Sequence, residues 1–463
     1  MTTPLHHLSA QDLSTAYRAG QLSPVEVTRA ALDRIAAWEG KLNAMYITDA
    51  DGALAQAAAS EQRWRRGAPL SPIDGVPITI KDNIATRGAP TPLGAGSADL
   101  TPATADAPPA ARVKEAGCVL LGKTTMPDFG MLSSGLSSFH GITRNPWNTR
   151  RNTAGSSSGA GAAIAAGYGP LALGTDIGGS VRLPAAANGI FALKPSLGRI
   201  PIYPPYIGRV TGPMTRTVTD SALLMNVLTK PDPRDFMGLP YEARDWPGSL
   251  EQDIKGKRLG LLLDIGVGMK PQPAVLHAIE AAAKEFERAG AIVEPVGPIL
   301  TQSMADGFER FFAARMLAEI DLLPAERQAK ILPFILGWCR RATSWSAVDA
   351  VRGFAEIMLM REKAVAAIQP YDVLISPTSP ITAYAAEDPA PGNDPHRAFP
   401  HIGFTFAFNM SEQPAASICA GYDGDGLPIG LQIVGHRFDD IGVLRIARAY
   451  ELMRPALHPW PEP

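Results

Sequence analysis

Between Asn152 and Thr175 the chain carries no charged residue; it reads NTAGSSSGAGAAIAAGYGPLALGT. A run this long either crosses a bilayer or is buried inside the protein. Small side chains, three consecutive serines and Pro170 do not supply the sustained large-apolar surface that a membrane span needs. The run therefore reads as interior: a Gly/Ser turn at 155–159, a small-residue helix near 160–167 and a short strand at 171–174. A second turn follows, Asp176-Ile177-Gly178-Gly179-Ser180. Glycines let a backbone approach a ligand with its N–H groups turned inward. Two serine-bearing turns joined by a buried helix read as an active site.

The rest of the chain supplies a frame for such a segment. With 463 residues, 46% hydrophobic and 19% charged, it can bury a large core, as one large domain or about three average ones. A net charge of −2 calls for neither nucleic acid nor an anionic membrane as partner. Cys118, Cys339 and Cys419 are widely spaced and read as reduced core residues. The N-terminus shows no secretion signal, so a cytoplasmic location is expected. Residues 9–66 are helical in pattern, with Ser23-Pro24-Val25-Glu26 as a strong helix start. Arg63, Arg65 and Arg66 read as a solvated helix end. Val76–Ile80 reads as a strand delivering Lys81-Asp82-Asn83. Helix–strand units at 106–124 and 255–296 predict a parallel or mixed sheet with helices on its faces. Residues 300–368 are mostly helical, and Ile331–Trp338 reads as a buried helix turn. Strands at 372–376, 415–420 and 429–434 and a helix at 440–453 close the chain.

Metal chemistry has little support: there is no His-Glu-x-x-His and no Cys-x-x-Cys, and the histidines are scattered apart from His6-His7 near an N-terminus read as mobile. Neither a metal nor a cofactor is expected. Gly159-Ala160-Gly161 begins a dinucleotide pattern that Ile164 breaks. Serine chemistry remains, in two versions. Gly155–Gly159 formally fits Gly-x-Ser-x-Gly, with Ser157 as nucleophile, but the polar 148–154 segment is not the buried strand that should precede an elbow. The other version takes Ser180 as nucleophile, backbone N–H groups of Ile177, Gly178, Gly179 and Ser180 as oxyanion donors, and Lys81, its pKa lowered by burial, as base. A second serine would relay the proton.

The chain resembles the amidase signature family. Gly155-Ser-Ser-Ser-Gly159, Gly174-Thr-Asp-Ile-Gly-Gly-Ser180-Val-Arg182, Pro184-Ala185 and Leu193-Lys-Pro195 resemble its central signature. Gly75-Val-Pro77, Lys81-Asp-Asn83, Asn145-Pro-Trp-Asn148 and Gly426-Leu-Pro-Ile-Gly-Leu-Gln432 resemble its flanking motifs. The likeness covers nearly the whole chain and is weakest over 230–370. It implies an α/β fold, a central mixed twisted sheet flanked by helices on both faces. It implies one domain over 1–463: a helical region to 66, a catalytic core at 67–230, a variable pocket region at 231–400 and closing core elements at 401–463. The family's spacing makes Ser156, 75 residues after Lys81 and 24 before Ser180, the bridging serine, held in a cis peptide. The implied roles are Lys81 as base, Ser156 as relay and Ser180 as nucleophile, supported by Ser157, Asp176 and Arg182. Asp176 and Arg182 read equally well as a structural brace.

Ala154 and Ala160 stand where the family commonly has glycine, as does Glu412, and Cys419 replaces a frequent proline. The implied activity is metal-independent hydrolysis of small amides, aryl amides, esters or carbamates, by a monomer or homodimer. The alternative is the glutaminase subunit of a tRNA-dependent amidotransferase, disfavoured by Leu183 and by Ile202-Tyr-Pro-Pro-Tyr206, where such subunits carry other residues. An inactive binding protein is disfavoured because all three catalytic positions are kept. The pocket is expected from 126–142, 200–210 and 300–410, with Phe404–Phe408, Ile202–Tyr206 and Ile331–Trp338 as apolar candidates. No arginine cluster stands near the motifs.

Overall fold

A computed structural model describes residues 4–462. Eleven strands form one mixed sheet. Across it run Met45–Thr48, Val119–Thr124, Pro77–Lys81, Leu171–Asp176, Val210–Thr215 and Phe191–Lys194, then Ala415–Tyr422, Pro428–Gly435, Val373–Pro377, Arg258–Leu261 and Ile292–Pro295. Pro77–Lys81 lies parallel to both of its neighbours, as the expected helix–strand units require. Side chains alternate between faces with the strand period of two. Val373 and Ile375 join one apolar cluster, with the helices Val218–Leu228, Pro273–Arg288 and Asp440–Met453. Leu374, between them, joins the opposite cluster with Gln302–Ile320, Pro333–Arg340 and Ala347–Ile368.

Local signals hold where they are strong. Ser23 caps Pro24–Leu42 with a capping box to Glu26, and Pro24 stands at the first turn. The uncharged run folds as expected, into helix Ser158–Ala166 and strand Leu171–Asp176, almost wholly buried. Its small residues set the packing distance: a Cβ on Gly159 would lie 2.2 Å from the Ala44 carbonyl oxygen. Pro333–Arg340 is a helix with Ile335 and Trp338 fully buried, as read.

Other elements differ from the sequence reading. Val210–Thr215, absent from the sequence reading, is an interior strand despite its Gly212-Pro213. It pairs with Leu171–Asp176 along its whole length, but with Phe191–Lys194 only at Met214 and Thr215, so the proline sits beyond the second ladder. Helices Arg182–Asn188 and Gly403–Met410 are also absent from the sequence reading; both are fully buried, so neither shows an amphipathic period. Arg63 is no solvated helix end, because its guanidinium grips the buried Asp74 carboxylate at 2.6 and 2.7 Å. Among the described residues, no helix is long and apolar enough to cross a membrane.

Candidate active site

Lys81 ends strand Pro77–Lys81 and is fully buried. Its Nζ lies 2.8 Å from Ser156 Oγ, 3.0 Å from Ser157 Oγ and 2.9 Å from Thr175 Oγ1. Burial lowers its pKa to about 7, against the opposing pull of Asp176 and Asp82. A neutral amine has two N–H donors and one lone pair, so three hydroxyl neighbours match it: two accept, and one donates. The Gly155–Ser156 peptide is cis.

Ser157 opens the helix Ser158–Ala166 and has no solvent exposure. Its Oγ touches Lys81, donates to the Thr175 carbonyl at 3.2 Å and accepts from the Thr175 N–H at 3.2 Å. A hydroxyl so enclosed contacts the lysine and has no exposed face, which does not suit the elbow reading.

Ser180 is held by its backbone: its carbonyl accepts from Ser157 N–H at 3.1 Å, tying the two turns together. Among the described residues its side chain makes no hydrogen bond, and it opens on a cavity. The Lys81–Ser156 link is thus formed, while the Ser180 hydroxyl is left free. Catalytic bonds commonly tighten only once substrate is bound.

Asp176 and Arg182 form the brace. Asp176 accepts from Arg182 Nε at 3.0 Å and Nη2 at 3.1 Å, from Asn409 Nδ2 at 2.8 Å, and from the N–H groups of Gly179 at 2.7 Å and Val181 at 3.1 Å. Burial alone would raise its pKa, but the Arg182 charge and hydrogen bonds hold it well below the carboxylate range. Arg182 also donates to Gln432 Oε1 at 2.7 Å and the Thr405 carbonyl at 3.1 Å, and is itself fully buried. One expectation changes here. The Gly179 N–H is spent on Asp176, so it is not an oxyanion donor in this geometry. Ile177, Gly178 and Ser180 make no turn or loop hydrogen bond through their N–H groups among the described residues. Gly179 matters through its shape: at φ 126° a Cβ would lie 2.5 Å from Thr405 Oγ1. Two of the family departures fall on left-handed backbone, Ala154 at φ 54° and Glu412 at φ 65°, where a glycine would be free of strain.

The cavity at Ser180 is small, about 40 Å³, and is walled by Met131, Ile177, Leu183, Phe308, Phe312 and Phe399 among others. Of the three apolar segments named from sequence, none lines it directly. Phe406 stacks behind Phe308 at 4.6 Å, and Trp338 packs edge-on against Phe399 at 4.8 Å. Ile202, Tyr203 and Pro204 line a second cleft, beside Asn83 and Thr175. Contrary to the sequence reading, arginines do gather there: Arg209 and Arg315 share that wall with Glu319, which pairs with Arg315 at 2.8 Å.

Sequence reasoning missed Thr175, whose hydroxyl holds Lys81 and accepts from Asn83 Nδ2 at 3.0 Å. Its place between two motif residues was the available signal. It also missed His401, wholly buried behind the cavity, in contact with Ser133 and driven by burial to a pKa of about 3.

A family model described as amidase matches residues 26–444. The chain is 35% identical to the A-type subunit of the glutamyl-tRNA(Gln) amidotransferase of Thioalkalivibrio sulfidiphilus, over 96% of this chain and 97% of that one. It is 33% identical to an acylamidase of Rhodococcus erythropolis, over 97% and 96% of the two chains. Its structure resembles that of a bacterial aryl acylamidase of the amidase signature enzymes, with a TM-score of 0.90, 31% identity and 98% of each chain covered.

Proposed function

The chain belongs to the amidase signature family of amide-hydrolysing enzymes, and we propose that it is a free-standing amidase for small, mostly neutral amides and aryl carbamates. In this reading, neutral Lys81 takes the proton of Ser156, which takes that of Ser180 as the Ser180 oxygen attacks the carbonyl carbon. The N–H groups of Ile177, Gly178 and Ser180 receive the developing oxyanion. As the C–N bond breaks, Ser156 passes a proton to the leaving nitrogen and an acyl-Ser180 ester remains. Water then attacks the ester by the same proton route and frees the acid.

The observation that carries the proposal is the buried Lys81, 2.8 Å from Ser156 and with its pKa lowered to about 7, in a site whose cavity at Ser180 has apolar walls. An apolar wall favours a nonpolar group beside the scissile bond. The resemblance to acylamidases supports an amide substrate. The second reading, a glutaminase component of a larger amidotransferase, draws on the 35% identity with such a chain. The deciding experiment compares kcat/KM for a neutral anilide, an aryl carbamate and free glutamine, with the purified chain alone. The anilide or carbamate should be turned over best. Turnover of glutamine above both, or only with a partner added, would replace the free-standing reading by the glutaminase reading.

A further inference from the structure

Away from the strand end that leads to Ser180, three metal-ligating side chains converge. His6 and His7 lie in a single 3-10 turn, Leu5–His7, with their rings 4.4 Å apart at 75°. Both Nε2 atoms face one carboxylate oxygen, Glu462 Oε1, at 3.4 Å for His6 and 3.7 Å for His7. The three donor atoms lie within 4.8 Å of one another. Neither Nε2 has solvent contact or a hydrogen-bond partner among the described residues. A buried polar atom left unpartnered asks for an explanation, and an ion is one.

Two simpler readings fit less well. A direct hydrogen bond needs about 2.7–3.2 Å, and both separations exceed it. An imidazolium–carboxylate pair needs protonated rings. The Glu462 carboxylate already has a charge partner, because Arg34 donates to its other oxygen, Oε2. The separations do suit a shared ion. Ligands about 2.0–2.1 Å from a tetrahedral zinc stand roughly 3.3 Å apart. The scaffold is already held: Arg216 Nη1 donates to the His6 carbonyl at 2.7 Å, and Arg34 donates to the Pro461 carbonyl at 2.9 Å and to Glu462 Oε2 at 2.5 Å.

The geometry points to a divalent transition-metal site of the zinc class, with His6 Nε2, His7 Nε2 and Glu462 Oε1 as ligands and solvent completing the set. Two imidazoles and a carboxylate suit zinc above calcium or magnesium. The ion would staple residues 6–7 to residue 462 and take no part in hydrolysis. A Cβ on Gly167 would touch His6 at 3.3 Å, which places the site near the start of strand Leu171–Asp176, whereas Ser180 follows its end. The strand between them spans roughly 20 Å.

The test titrates zinc chloride into the untagged chain by calorimetry, beside His6→Gln, His7→Gln and Glu462→Gln, with melting curves of all four. One zinc per chain is expected in the parent, with binding at least about tenfold weaker in each variant. Zinc should raise the parent Tm by about 2 °C and leave that of the variants unmoved. Both histidine variants keep the Arg34–Glu462 pair, so they separate loss of metal from loss of that pair. Anilide hydrolysis should be the same with zinc or with EDTA. Absence of saturable zinc binding, or binding undiminished in either histidine variant, overturns the site.

Discussion

The segment from Pro77 to Arg182 and the helical layer from Gln302 to Met410 both reach Ser180, and they do so by different physics. The first places polar atoms. Lys81, Ser156, Ser157, Thr175, Asp176 and Arg182 are nearly all enclosed, and each donor or acceptor meets a specific partner. The second places surface. Phe308 and Phe312 from one helix and Phe399 from a loop enclose the cavity with carbon. A buried polar network tolerates almost no substitution, since a lost partner leaves a desolvated group behind. An apolar wall accepts many residues of similar volume. The first region should therefore decide whether the reaction runs, and the second which substrate it takes.

The largest effect that sharpens this contrast lies in the first region. Ser180→Ala should abolish turnover of an anilide. Ser156→Ala and Lys81→Ala should each lower kcat by roughly 10³ or more, and the double variant little further, because the three act as one unit. A fluorophosphonate should label Ser180, located by peptide mass spectrometry; labelling at Ser157 instead would break the assignment.

Arg182→Met tests the brace by stability. It would leave Asp176 buried and ionised without its counter-charge, a loss of about 3–5 kcal/mol. The urea midpoint should fall accordingly. An unchanged midpoint would mean that the pair is not what holds the 176–182 turn.

The same contrast explains what could be read in advance. Ser23 and the αβ units are legible because capping and periodicity each impose a residue type at a position, whereas Lys81, Ser156 and Ser180 are picked out by the resemblance to the amidase signature motifs. The Gly179 N–H is different. Its commitment to Asp176 depends on how the 176–180 turn closes, and no spacing reveals that. Phe308, Phe312 and Phe399 are illegible for another reason. Helix Gln302–Ile320 packs on both the cavity and Ala347–Ile368, so its apolar residues do not mark which of them face substrate. The aromatic run Phe404–Phe408 stands out by eye, yet it packs behind the wall. Arg209 and Arg315 are far apart in sequence and meet only through the fold.

Acid should separate the regions next. Only neutral Lys81 can accept a proton, so kcat/KM should fall about tenfold per pH unit below its pKa of about 7 and level off above it. Stability carries the same sign. Between about 7 and 10.5 the unfolded chain holds this proton and the folded chain does not, so the Lys81 contribution to stability rises with pH across that window. A rate profile flat from pH 5 to 8 would remove Lys81 as the base. Substitutions in the aromatic wall should leave the limb where it is.

The smallest effect tests the second region alone. Phe308 touches the cavity, stacks on Phe406 at 4.6 Å and meets Phe312, tilted, at 4.5 Å. Truncation to alanine would open a void and cost about 3–5 kcal/mol of stability, obscuring any effect on the substrate. Phe308→Leu keeps most of the volume and removes the ring. If the wall selects substrate, kcat/KM for an aryl substrate should drop about tenfold relative to an aliphatic amide of similar reactivity, the scale on which apolar pockets discriminate. The control is Phe404→Leu, equally buried in the same layer but absent from the cavity wall. It should lower the melting temperature and leave the substrate ratio alone. If both variants shift the ratio equally, the wall acts only through general packing, and the division between a region that reacts and a region that selects does not hold.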